Sequence, residues 1–245
     1  MTRLAATGLA IPGRLRPTDL SAEAGERIAL IGPNGAGKTS LLHALAGIGA
    51  SEGGVCLDDA DLRGFHPARR TRAVGYVPAG RDVTWPVAVR DAVLDAGATA
   101  EEATSALAAL ELEPLAARAL DRLSTGERAR AFLARALAPR PPLVLADEPI
   151  ANLDPRWRLR VLDLLGRAAA DGATVLMSVH DLDAALGWAS RVMVLDGGRV
   201  AADAAPDELV ASGVIQAVFG VQREGAGWVE VQAGTSPGVR RGAPR

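Results

Sequence analysis

One run, Gly32-Pro-Asn-Gly-Ala-Gly-Lys38-Thr39, constrains the fold of this chain more than any other stretch. It fits G-x(4)-G-K-[ST] in full. An apolar run, RIALI at 27–31, leads into it, and an apolar run with helical character, SLLHALAG, follows and stops at Gly47. Strand, glycine loop and helix in that order form a phosphate cradle. The glycines let the backbone curl until successive N–H groups converge on phosphate oxygens. The helix that follows adds the positive end of its dipole. Lys38 is expected to reach the β- and γ-phosphates of a nucleotide, and the Thr39 hydroxyl to bind Mg²⁺. Gly32, Pro33, Asn34, Gly35, Ala36, Gly37 and Ser40 complete the expected nucleotide cradle. Of the 27 Lys and Arg residues, Lys38 is the only lysine. A compact ammonium fits a phosphate cradle where a forked guanidinium does not.

The rest of the composition narrows the setting. With 245 residues, 49% hydrophobic and 23% charged, the chain can bury a core of its own. A net charge of −2 argues against a generally basic nucleic-acid binder. Cys56 is the one cysteine, so no intramolecular disulfide or cysteine metal cluster can form. No apolar run approaches the roughly 18 residues of a membrane span. The apolar stretch near the N-terminus is too short for a signal peptide. The expectation is a cytoplasmic protein able to dock on a membrane protein.

Further along, short apolar strands alternate with helices. Residues 53–62 read as a strand beside a turn. Residues 101–120 read as helix broken at Pro114. Ser124-Thr125-Gly126-Glu127 fits a capping box that opens a second helix. The run 143–146 is a buried strand ending in Asp147-Glu148-Pro149, and 174–179 is another, ending at His180. Residues 191–201 hold a hairpin turning at Gly197-Gly198. This pattern indicates a mostly parallel α/β sheet, whose ligands sit at the carboxyl ends of strands. A carboxylate at a strand tip beside the phosphate loop, Asp147, can hold Mg²⁺. Its neighbour Glu148 can orient or deprotonate an attacking water.

These motifs together resemble the ATP-binding cassette (ABC) family. LSTGERARAFLARAL at 123–137 is similar to the family's signature helix, ANLD at 151–154 to its D-loop, and His180 to its switch histidine. The resemblance covers about residues 4–221. It implies a P-loop NTPase core with a mostly parallel sheet, a small antiparallel β subdomain and a helical subdomain at about 80–140. The single domain would span 1–232, with a flexible Gly/Pro/Arg-rich tail at 233–245. It also implies that two copies pair head to tail around two ATP molecules. Each site would take its P-loop, Asp147, Glu148 and His180 from one copy. Ser124, Thr125, Gly126 and Glu127 would come from the other. Mg²⁺-dependent ATP hydrolysis would then carry Lys38, Glu148 and His180 as catalytic residues, with Thr39 and Asp147 as metal ligands.

Three departures from the family pattern stand out. GYVPAG places Ala79 where the family has a glutamine, and no glutamine precedes Gln216. The first aromatic residue is Phe65, so no ring upstream of the P-loop can stack on adenine. Arg14 and Arg16 are the candidates for that contact through cation–π stacking. The signature carries Thr125 where glycine is commoner.

One cassette without a membrane segment or a long coiled coil resembles the separate ATPase subunit of an importer. Residues 83–97 and 191–221 are similar to importers of iron chelates, haem and cobalamin. Trp85, Pro86 and Val87 would then face a membrane permease, or else serve local packing. The subunit would lie at the cytoplasmic face of the inner membrane, held there by the permease. An ATP-binding regulatory module with little hydrolysis is the alternative. A kinase sharing the P-loop leaves the signature helix and ANLD unexplained.

Overall fold

The computed structural model describes residues 2–80, 86–225 and 227–231. Strands β1 (Thr2–Ile11) and β2 (Leu15–Glu23) form a hairpin, and β3 (Arg27–Ile31) runs into the glycine loop and helix α1 (Lys38–Ala46). Next come β4 (Glu52–Leu57), β5 (Ala60–Asp61), α2 (Pro67–Ala73) and β6 (Val74–Val77). Helices α3 (Val89–Leu94), α4 (Ala100–Ala109) and α5 (Thr125–Leu137) follow. Then β7 (Leu143–Asp147), α6 (Pro155–Ala170), β8 (Thr174–Ser178) and α7 (Leu182–Trp188) alternate. The chain continues through β9 (Arg191–Asp196), β10 (Arg199–Ala204), α8 (Pro206–Ala211) and α9 (Val214–Phe219). A hairpin of β11 (Val221–Glu224) and β12 (Gly227–Glu230) completes the described chain.

Two sheets carry the architecture. The central one has the order β10-β9-β3-β8-β7-β6. All its neighbours pair in parallel except β10, which runs antiparallel to β9. The second, in the order β2-β1-β4-β5, is antiparallel throughout. This is an α/β fold with a mostly parallel sheet and a small antiparallel one.

Strand periodicity divides the core in two. Side chains alternate across a strand, so each central strand feeds both faces of the sheet. Ile28, Leu30, Leu143, Leu145 and Leu176 pack with α1 and with Leu4, Leu9 and Leu20 of the antiparallel sheet. Ala29, Ile31, Val144, Val175 and Met177 pack with Leu133 of α5, Val161 and Leu165 of α6, and Ala185 of α7. Every residue of β7 and β8 is buried, which is why both read as unbroken apolar runs.

Some boundaries differ from the sequence expectation. The helix expected over 101–120 stops at Ala109, before Pro114 is reached. Glu111 takes a φ of 53°, and a 3-10 turn spans Glu113–Leu115. The left-handed residue Glu111 ends the helix ahead of the proline. The strand expected over 53–62 is two, β4 and β5, joined at Asp58 and Asp59 with φ of 48° and 63°. The expected tail at 233–245 lies outside the described residues.

Leu145 is fully buried in the central strand β7. Leu145→Ala is expected to lower stability by about 2–5 kcal/mol, read from urea unfolding midpoints.

Candidate active site

The topology brings three separate chemical segments to one edge. β3, β8 and β7 are adjacent and parallel, although α1 through α5 lie between β3 and β7 in sequence. The glycine loop leaves the end of β3, Ser178 and His180 the end of β8, and Asp147 and Glu148 the end of β7. Ala79 follows β6 on the far side of β7. The crevice beyond the carboxyl ends of parallel strands is where such sheets bind ligands.

Two glycines of the loop are required by close approach. Gly32 has a φ of 156°, and a Cβ there would collide with the carbonyl oxygen of Leu195. Gly37 has a φ of 103°, and a Cβ there would sit 3.0 Å from the Arg14 carbonyl oxygen. Left-handed backbone of this kind favours glycine. The β9–β10 turn braces the loop from outside: Gly198 N–H donates to the Ala36 carbonyl at 3.0 Å. Arg16 N–H donates to the Gly198 carbonyl at 2.7 Å, which ties in the β1–β2 hairpin as well. Lys38 Nζ donates to the carbonyls of Gly32 (2.7 Å) and Pro33 (3.1 Å). Burial lowers the Lys38 pKa, while the nearby Glu148 and Asp147 carboxylates act to raise it.

Behind the loop, Asp147 is 1% exposed and its two carboxylate oxygens accept from two different elements. Thr39 Oγ1 donates to Oδ2 at 2.7 Å and Ser178 Oγ donates to Oδ1 at 2.5 Å. Ser178 also accepts from the Glu148 N–H at 2.8 Å. One serine hydroxyl therefore fixes Asp147 and the backbone of Glu148 together. A threonine hydroxyl beside a carboxylate offers hard oxygen donors, the set Mg²⁺ takes when phosphates and water supply its other ligands.

Glu148 has a φ of 49°, and Asn152, in the turn that follows, has 58°. Non-glycine residues in this region cost about 1–2 kcal/mol each, and such strain clusters at functional sites. The strained backbone lets the chain turn sharply off β7 with Glu148 at the strand tip. Glu148 Oε1 lies 2.6 Å from His180 Nε2, so the two side chains position each other. A cavity of about 220 Å³ adjoins them, lined also by Asn152, Arg158 and Asp181.

The predicted signature residues sit on a different element. Ser124 caps α5: its Oγ accepts from Glu127 N–H at 3.3 Å, and Glu127 Oε2 accepts from Ser124 N–H at 2.8 Å. Those bonds hold the Glu127 carboxyl below its usual range. Ser124 and Thr125 are exposed, and nothing lies within 4 Å of a Cβ built on Gly126. This helix N-terminus faces open space. Ala79 is exposed and offers only a methyl group. Arg14 and Arg16 are exposed beside the loop. Trp85 lies outside the described residues, Pro86 is exposed, and Val87 packs against the core.

Sequence reasoning missed Ser178 and Arg158. Ser178 had one visible signal, a hydroxyl at the last position of an apolar strand. Arg158 of α6 donates to Asp181 Oδ2 at 2.6 Å, and Asp181 caps α7 directly after His180. Nothing local in the sequence indicates that ion pair.

Residues 15–151 match the family model for the ABC transporter. The chain belongs to the ABC transporter family. Members of that family bind ATP, and this chain is an ABC-type ATPase whose partners are membrane permeases. It is 40% identical over 216 residues to a hemin import ATP-binding protein, HmuV, of Nocardia farcinica, covering 84% of this chain and 75% of that protein. The Streptomyces coelicolor protein of the same name is 38% identical over 212 residues, covering 82% and 76%. A solved ATP-binding subunit of an ABC transporter shares the fold with a TM-score of 0.78 at 24% identity, covering 87% of this chain and 94% of that one. A dimeric ATP-binding cassette in a post-hydrolysis state, bound to ADP and Pi, gives 0.72 at 26% identity, covering 84% and 99%. No helix among the described residues of this ABC protein is long and apolar enough to cross a membrane.

Two outcomes follow from this geometry. Ser178→Ala leaves the Glu148 N–H and one Asp147 oxygen without their partner. It is expected to lower stability by about 1–3 kcal/mol in chemical unfolding. The Ala184 N–H, opposed in part by burial and aided by Arg158, holds the Asp181 carboxyl below its ordinary 3.8. A depressed carboxylate stabilises the fold above its unfolded pKa and loses that contribution as pH falls through the folded one. The wild type is therefore expected to melt above Asp181→Asn at neutral pH. The gap should close as pH drops below 3.8.

Proposed function

We propose that this chain is the ATPase subunit of an importer for haem or a related iron chelate or corrinoid. It works head to tail with a second copy against a two-subunit membrane permease. The names of its relatives, hemin import ATP-binding proteins, support the cargo class. The observation that carries the hydrolytic reading is the Thr39–Asp147–Ser178–Glu148–His180 chain of contacts at the strand ends beside the P-loop.

In this reading the N–H groups of Gly32 to Ser40 cradle the phosphates of ATP, and Lys38 leaves the Gly32 and Pro33 carbonyls for the β- and γ-phosphates. Thr39 and Asp147 would hold Mg²⁺, which would supply positive charge against the charge that develops on the phosphates. Glu148 accepts a proton from the attacking water as its oxygen bonds to the γ-phosphorus. The bond from that phosphorus to the bridging oxygen breaks, releasing ADP and phosphate. His180 holds the Glu148 carboxylate in place and contacts the γ-phosphate. Ser124, Thr125, Gly126 and Glu127 of the second copy present the exposed α5 N-terminus to the same phosphate, which suits its positive dipole end. Closure on ATP and opening after hydrolysis drive the permease, because ATP binds the closed pair better than the open one. The subunit is peripheral, held at the cytoplasmic face of the inner membrane by that permease.

Mg²⁺-dependent phosphate release by the purified protein tests the assignment, beside Glu148→Gln. The wild type is expected to turn over without a glutamine at position 79. Glu148→Gln should fall by ~10²-fold or more while still binding ATP, the loss expected for a missing general base. Equal turnover by both proteins would remove Glu148 from that role.

A further inference from the structure

Away from the phosphate loop, three guanidinium groups gather around one indole. Trp157, in the first turn of α6, is 9% exposed. The Cζ of Arg130, on α5, lies 4.4 Å from its ring centroid; those of Arg160 and Arg156, on α6, lie at 4.9 and 5.9 Å. Glu111, in the turn after α4, accepts from Arg156 at 2.9 Å and from Arg160. Arg130 donates to the backbone carbonyls of Leu110 (2.7 Å) and Glu111 (3.2 Å). The turn at Glu111 thus grips α6 through its carboxylate and α5 through its carbonyls.

The arrangement is not a set of independent surface pairs, which contribute little. Three cations lie within 5.9 Å of one ring centroid, and their repulsion is offset by the Glu111 carboxylate that Arg156 and Arg160 share and by the indole. Glu111 reaches them from a left-handed backbone, with a φ of 53°. The place of the cluster gives it meaning. α5 begins beside Ser124, and α6 begins beside Asp154, which closes the turn that starts at Glu148. The cluster joins the two helices within their first two turns.

We propose that Glu111, Arg130, Arg156, Trp157 and Arg160 form a joint that sets α5 against α6. Ser124 and the Glu148 turn then meet a second copy as one rigid edge. Glu111 is a positioning residue for the composite ATP site. The proposal rests on the paired reading above and names a device that acts within it.

The test uses the full chain in a Glu148→Gln background, where bound ATP persists. ATP-driven pairing is followed by size-exclusion chromatography with and without Glu111→Gln. The ATP concentration for half-maximal pairing is expected to rise about five-fold or more. ATP binding by equilibrium dialysis, at protein concentrations too dilute to pair, should be unchanged. Arg156→Gln/Arg160→Gln, which removes the other side of the joint, should give a similar rise. Combining it with Glu111→Gln should give less than the product of the two effects. Unchanged pairing in Glu111→Gln, an equal loss of single-copy ATP binding, or effects that simply multiply would overturn the joint. If the Glu148→Gln parent itself fails to pair on ATP, the paired reading falls and the joint's role falls with it. That result is distinct from a parent that pairs beside a variant that pairs equally well.

Discussion

Asp147 is a charged group at the end of a fully buried strand, and its environment organises the rest of the site. A carboxylate taken out of water is costly unless hydrogen bonds replace its hydration. Here one oxygen is satisfied by Thr39 at the start of α1 and the other by Ser178 at the end of β8. Those donors belong to different elements, so their bonds lock the glycine loop, β7 and β8 into one register. Lys38 adds a cation near the same carboxylate. The cluster that a nucleotide and its metal would meet is thus also a structural knot of the central sheet.

Around that knot, the supports of the two halves of the site differ. The P-loop is braced from outside by the β9–β10 turn and the β1–β2 hairpin, through backbone bonds that no side-chain substitution removes. Glu148 and His180, by contrast, hold each other from partly exposed positions: their side chains are 31% and 48% exposed. Glu148 stands on left-handed backbone whose N–H donates to Ser178 and whose carbonyl accepts from the Ala151 N–H. The glycine loop is thus held by backbone bonds from two neighbouring turns, and the Glu148–His180 pair faces it from a less buried position. Arg158 and Asp181 extend the pair's support by joining the starts of α6 and α7.

The departures noted in the sequence have different weights in the structure. Thr125 lies exposed at the start of α5 and leaves the Ser124–Glu127 capping box intact. No aromatic residue lies upstream of the loop, and Arg14 and Arg16 are exposed beside it. Ala79 is exposed and brings no side-chain oxygen to the site.

The sequence by itself determined the elements whose chemistry is contiguous along the chain. The P-loop, the α5 capping box, the buried strands ending in Asp147 and near His180, and the Gly197-Gly198 hairpin are each set by residues within a few positions of one another. Local sterics and local hydrogen bonds decide such features. What only the tertiary structure decided are contacts between residues far apart in sequence. Thr39 and Asp147 are separated by 108 positions, and Asp147 and Ser178 by 31. Glu111 reaches Arg160 across 49 positions. The family motifs place Thr39 and Asp147 at one metal, but no periodicity or motif encodes the Ser178 and Glu111 pairings. They follow from the strand order β3-β8-β7 and from where α4, α5 and α6 cross, which burial of two alternating apolar faces selects. Ser178 shows the difference plainly: in sequence it is one hydroxyl in an apolar strand, and in the fold it fixes the Asp147 carboxylate and the backbone of Glu148.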